Sequence, residues 1–345
     1  GVPLTATNGN GLQPIHLAAR HGHLAVVQWL HEQGVPLTTP NGNGWEPMNG
    51  NGWEPIHLAA RHGHLAVVQW LHEQGVSLTV TKGFENQQPI HLAAIEGHLA
   101  VVQWLHEQGV PLTVTDEPDW QPIHYAAMHG HLVVVQWLHE QGVSLTTTDG
   151  CDEQPIHFAA GCGRLEVVEW LHGQGVPLTV TNNSGSQPIH LAARSGELAV
   201  VQWLFHKQGV PLIATTDDVH GMQLIDEAAD EGHLAVVQWL YEQGVPLTAT
   251  DGDGMQPIHL AARSGHLATV QWLHEQGVPL TATDGDGTQP IHLAAGRGHL
   301  AVVQWLHEQG VPLTPTDGIG LQPTHYAVAG GHLAVVQWLN DQGEE

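Results

Sequence analysis

The chain is short of positive charge. Its 345 residues hold 8 lysines and arginines against 34 acids, a formal charge of −26 with histidine neutral. A nucleic-acid footprint needs clustered Lys and Arg to neutralise phosphates, so nucleic acid is excluded as a partner. The same field repels an anionic membrane surface and favours a neutral or basic protein partner. Two cysteines, Cys151 and Cys162, cannot build a disulfide framework and are expected to be free. There is no run of about 18 apolar residues, so no segment reads as a membrane span. A phosphate-cradling glycine loop with its lysine is also missing. Neither cysteine has a unique His or carboxylate constellation around it, so no catalytic centre is expected.

What the chain has in excess is 29 His, 41 Gly and 13 Trp. Such skew marks one short unit copied many times. The segment Pro-Ile-His, or its equivalent, places a residue at His16, His57, His91, His124, His157, His190, Asp226, His259, His292 and His325. The prevailing spacing is 33 residues, and ten units follow, beginning near Gln13, Glu54, Gln88, Gln121, Gln154, Gln187, Gln223, Gln256, Gln289 and Gln322. Length alone suggests two domains. The repeats point instead to a single array over 1–345, with 1–12 the tail of a preceding unit.

One unit shows the physics. Pro257 presets φ at a first helical turn, where its missing N–H is no loss. Ile258, Ala261 and Ala262 then fall on one face of a short helix. Gly265 supplies a left-handed stop. A second helix carries Leu267, Val270, Trp272 and Leu273, and Gly277 ends it. Val278 to Thr281 reads as extended, and Asp284-Gly285-Asp286-Gly287 as a turn. Two such short helices cannot bury an apolar face alone. They are expected to stack on copies of themselves as an elongated, curved, all-α solenoid.

These residues resemble the ankyrin repeat, marked by a 33-residue period, a Thr-Pro-Leu-His-x-Ala-Ala opening and Gly-His-Leu-x-Val-Val. Here Gln256-Pro257-Ile258-His259-Leu260-Ala261-Ala262 and Gly298-His299-Leu300-Ala301-Val302-Val303 carry the match. The resemblance implies stacked helix pairs with hairpin-like fingers, and a concave surface made of finger tips and first helices. It also implies a non-enzymatic scaffold that binds another protein. Three departures stand out. Gln replaces the family's Thr before Pro, and a Gln amide can substitute for it as a cap. A Trp fills a Leu position in every second helix, from Trp29 to Trp338. The seventh unit, Gln223 to Ala229, has lost both Pro and His.

Equivalent histidines of adjacent units stand roughly 10 Å apart by helix-packing distance, too far to share a metal. No metal site and no cofactor is expected. The Trp series reads as inter-repeat packing, and the Asp-Gly-Asp-Gly tips as turns without the bidentate Glu of a calcium loop. In a near-identical array the positions that vary mark a partner-reading surface. They are the finger residues Trp45, Trp53, Phe84 and Trp120, with the tryptophans expected as exposed anchors. The first-helix ends add Arg20, His21, Arg61, His62, Met128, His129, Arg194, Arg263 and Arg297. Full protonation of 29 histidines takes −26 to +3. Partner binding or self-association is therefore expected to change between pH 5 and 7. The runner-up reading is a rod assembling end to end, because neither terminal unit turns polar outward.

Overall fold

The computed structural model describes residues 3–41, 52–81, 86–208 and 222–343. The expected anchor Trp45 and the expected partner-reading residue Phe84 lie outside them. Twenty helices follow in pairs. Five pairs come first: α1 (Pro14–Arg20) and α2 (Leu24–Glu32), α3 (Pro55–Arg61) and α4 (Leu65–Glu73), α5 (Pro89–Ile95) and α6 (Leu99–Glu107), α7 (Pro122–His129) and α8 (Leu132–Glu140), α9 (Pro155–Gly161) and α10 (Leu165–Gly173). The rest are α11 (Pro188–Arg194) and α12 (Leu198–Gln208), α13 (Leu224–Asp230) and α14 (Leu234–Glu242), α15 (Pro257–Arg263) and α16 (Leu267–Glu275), α17 (Pro290–Gly296) and α18 (Leu300–Glu308), α19 (Pro323–Ala329) and α20 (Leu333–Gly343). The fold is an all-α repeat solenoid.

Contacts divide it into two compact units: residues 1–159 with 164–176, and 160–163 with 177–345. In the first, α1, α3, α5 and α7 pack in succession, as do α2, α4 and α6 behind them. In the second, α11, α13, α15, α17 and α19 form the corresponding row, with α16, α18 and α20 behind. Among the described residues, every helix pair in substantial contact is either one repeat or two adjacent repeats.

Helices this short are marginal in isolation, so burial between copies must hold them. Ile258, Ala261 and Ala262 are fully buried, as are Val270 and Leu273 of the following helix. Each fully buried Val, Leu or Ile contributes roughly 1.5–3 kcal/mol. At the turn, Gly265 has φ +81°, and a methyl group there would overlap the His299 ring of the next repeat. Only glycine meets both demands.

The histidines occupy three structural settings. In the Pro-Ile-His type, Nδ1 accepts the cap N–H, as from Gln88 to His91 at 3.0 Å. Nε2 must then be the protonated nitrogen, and it donates to a carbonyl 23 residues on, Val114 for His91 at 3.0 Å. The Gly-His-Leu type caps the preceding first helix: His131 Nε2 lies 2.8 Å from the Ile95 carbonyl. The Trp-Leu-His type meets the next repeat's tryptophan edge-on, with His72 and Trp104 ring centres 5.8 Å apart. That is the inter-repeat packing expected of the Trp series. The cap itself differs from a capping amide in full use. The Gln side chain faces the first-turn N–H, yet at eight caps, Gln88 among them, its oxygen is buried with no hydrogen bond of good geometry.

Burial acts on the members of the first class that lie between repeats. It lowers the pKa of His16, His124, His259 and His292 below the ordinary value, and that of His91 to about 4. The native fold therefore does not reach the charge of +3 obtained by counting every histidine as solvated.

Candidate functional site

Charge is sorted within the repeats. Arg20, Arg61, Arg194 and Arg263 are each the last residue of a first helix, and Arg297 directly follows one. Arg164, in the place of a Gly-His-Leu histidine, donates from Nε to the Met128 carbonyl at 2.9 Å. All six arginines thus sit at the turn between first and second helix. At the opposite end of the second helices stand Glu32, Glu73, Glu107, Glu140, Glu242, Glu275 and Glu308, all exposed.

The fingers are built by Asx turns. Asp251 Oδ1 accepts the Asp253 and Met255 N–H groups at 3.0 and 2.8 Å. Adjacent fingers are tied by backbone, Gly285 N–H to the Asp253 carbonyl at 3.0 Å. This is ordinary turn chemistry, using the carboxylate internally. Among the described residues no group of three or more His, Cys, Asp or Glu could hold a metal ion. Nor is any of their helices long and apolar enough to cross a membrane.

In the first unit, finger and helix meet in a cleft of ≈ 110 Å³. Asn10, Leu12, Asn41 and Trp53 come from fingers. Arg20, Leu58, Arg61, His62 and Glu96 come from first helices and their ends. The cleft brings together Trp53, Arg20, Arg61 and His62 of the expected partner-reading set. Arg61 donates from Nε to Glu96 Oε1 at 3.0 Å, and its guanidinium lies 5.0 Å over the Trp53 ring. His62 is pushed below the ordinary histidine value, first by burial and then by Arg20 and Arg61. The cleft is locally electropositive. Sequence reasoning missed Asn10, Leu12, Asn41 and Leu58 as lining residues, because their placement depends on how fingers fold back over first helices.

A second cleft, in the second unit, is lined by Asp230, Glu231, Arg263, Ser264, His266, Arg297 and His299. Arg263 Nη2 reaches both oxygens of Asp230 at 3.1 Å, which neutralises it. Arg194 lies 3.8 and 3.7 Å from Glu227 and Glu231 and does not line that cleft. His21 is exposed beside His23. His129 stacks on His131, and half-buried Met128 contributes its carbonyl to Arg164.

Of the expected anchors within the described residues, Trp53 and Trp120 are not exposed. Trp53 is 5% exposed and clusters with Leu12, Leu58 and Leu92. Trp120 is half-buried, its indole N–H donating to Asp149 Oδ2 at 2.9 Å and its ring against Tyr125 and Phe158. A large flat ring on a finger finds the apolar side of a neighbouring first helix before it finds a partner. Cys151 is exposed and Cys162 half-buried, and neither is in a disulfide.

Family models described as ankyrin repeats in many copies match residues 90–139, 123–172, 163–205 and 225–274. One described as ankyrin repeats in 3 copies matches 2–82 and 258–345. No curated protein matches the chain significantly. Among solved structures the chain is similar to the crystal structure of the human ASB11 ankyrin repeat domain. That likeness has 22% identity and a TM-score of 0.53, and it covers 66% of this chain and 99% of that one. At that identity it shows the fold alone.

Proposed function

Because the chain belongs to the ankyrin repeat family, whose repeats are generally protein–protein interaction modules, we propose that it is a non-enzymatic scaffold. It holds a protein partner against finger tips and first-helix ends. The observation that carries this reading is the sorting of charge on a copied framework. The six arginines share one edge of the helix pairs, while the glutamates of the second helices repeat at the other. At Arg164 packing needs no arginine, since the equivalent carbonyl one repeat earlier, that of Ile95, is met by His131. A surface kept variable and polar beside an invariant core is available for recognition.

The test is affinity capture with two charge-reversed sets. One carries Arg20→Glu, Arg194→Glu and Arg297→Glu. The other carries Glu73→Lys, Glu107→Lys and Glu275→Lys on the second-helix ends. The reading expects the first set to lose the captured protein and the second to retain it. The reverse pattern refutes it.

A second reading, end-to-end association, is favoured by apolar side chains on the first and last helix pairs. Trp29 is 49% exposed, Val328 61% and Leu333 66%. Light scattering over a concentration series tests it: mass that rises with concentration supports association, and constant monomer mass rejects it.

A further inference from the structure

We propose that the cleft between the first two fingers and the ends of α1 and α3 receives an acidic segment of the partner, seating a carboxylate between Arg20 and Arg61. This deepens the scaffold reading and rests on it. The two arginines are held differently, and both are available. The Arg20 backbone is fixed because its carbonyl meets His64 Nε2 at 2.9 Å. Its half-buried guanidinium makes no hydrogen bond or ion pair among the described residues. Arg61 is oriented by the Trp53 ring below it and by Glu96 on its Nε. Its two terminal NH2 groups remain unbonded among the described residues, and they are the pair that a carboxylate engages side by side.

The fingers supply an independent observation. Of the later fingers, five build their turns on Asp116, Asp149, Asp251, Asp284 and Asp317, and one on Asn182. The two that wall this cleft use asparagine. Asn8 Oδ1 accepts the Asn10 and Leu12 N–H groups at 3.0 and 2.9 Å, and Asn41 Oδ1 the Trp53 N–H at 2.7 Å. Asn8 keeps both hydrogen bonds of an aspartate turn and Asn41 keeps the acceptor role, but the negative charge is gone where it would oppose an acidic ligand. Among the described residues, Glu96 is the one carboxylate lining the cleft. A volume of ≈ 110 Å³ equals about four water molecules, which suits a carboxylate side chain rather than a folded surface.

The net charge of −26 points to a neutral or basic partner, but it acts weakly at contact. Screening limits exposed charges to about 8 Å at physiological salt, so the arginines beside the ligand outweigh distant glutamates. His62 adds a pH dependence. A bound carboxylate favours its protonated form, and Arg20, Arg61, His64 and Glu96 are the charged or titratable groups acting on it. Acidic ligands should therefore bind more tightly as pH falls below the ordinary histidine value of 6.5.

The experiment titrates fluorescent hexaglutamate and hexalysine peptides against the full chain at physiological ionic strength, where the distant charges are screened. Hexaglutamate is expected to bind. Arg20→Gln should weaken it about tenfold through loss of one charge-assisted contact. Glu96→Gln should tighten it about fivefold by removing one opposing charge, a gain that damage to the fold cannot produce. Circular dichroism of Arg20→Gln should match the parent. No hexaglutamate binding, unchanged affinity in both variants, or tighter hexalysine binding overturns the acidic-segment inference. Those results leave the scaffold reading intact, because it stands on the capture experiment with charge-reversed sets.

Discussion

Replacing Asp226 by asparagine should stabilise the protein, and by an amount that depends on pH. Asp226 stands where nine other repeats have histidine. Its Oδ2 accepts the Gln223 N–H at 2.9 Å, as a histidine Nδ1 would. The second oxygen has no partner among the described residues, and the residue is 0% exposed. Burial, then the nearby carboxylates of Asp251, Glu227 and Asp230, raise its pKa from 3.8 to about 7. The folded state therefore holds a proton that the unfolded chain gives up near pH 3.8. That contribution is whole below 3.8, declines as pH rises, and is gone above about 7. The full loss is roughly 4 kcal/mol, since each tenfold change in proton affinity is worth about 1.36 kcal/mol. Asparagine keeps the acceptor and cannot ionise. In urea titrations of both proteins between pH 5 and 8, its advantage should grow by roughly 3 kcal/mol up to pH 7 and then level off. An advantage that is flat with pH, or a destabilisation at pH 8, would refute the reasoning.

Other consequences can be checked on the same material. The buried histidines act with the opposite sign. Their folded pKa values are lowered, so the stability they contribute is whole above 6.5 and lost as pH falls. His91 alone accounts for roughly 3 kcal/mol between 6.5 and about 4, and His91→Gln should flatten the acid limb of the stability profile. Gly97→Ala should cost more than Gly109→Ala. Both glycines have positive φ, but a methyl at Gly97 overlaps the His131 ring whereas one at Gly109 meets open space. The difference should exceed about 1 kcal/mol by urea unfolding.

The repeat, its helix boundaries and its buried face are local properties, which is why they were legible. Pro257, Ile258, Gly265 and Gly277 each act within a few residues of themselves. What escaped the sequence depends on contact between units. Trp53 meets Leu12 and Leu92 across a distance in sequence longer than one repeat. Nothing local separates a buried finger tryptophan from an exposed one. The histidines misled in the same way. Their number suggests a broad titration, but three geometries divide them, and burial lowers the proton affinity of His16, His91, His124, His259 and His292. Net charge hid the arginine edge, because a sum over the chain erases position. The sign that was available lay in the finger tips, where Asn8 and Asn41 stand as uncharged acceptors in the place of an aspartate.

Hydroxyl-radical footprinting of the chain alone and with its captured partner tests the central claim most directly. Recognition by finger tips and first-helix ends predicts that Arg20, His21, His62, His129 and Arg194 lose reactivity on binding. The tryptophans of α4, α6 and α8 should keep theirs. Protection running along those second helices, with the arginine edge unchanged, would contradict the account.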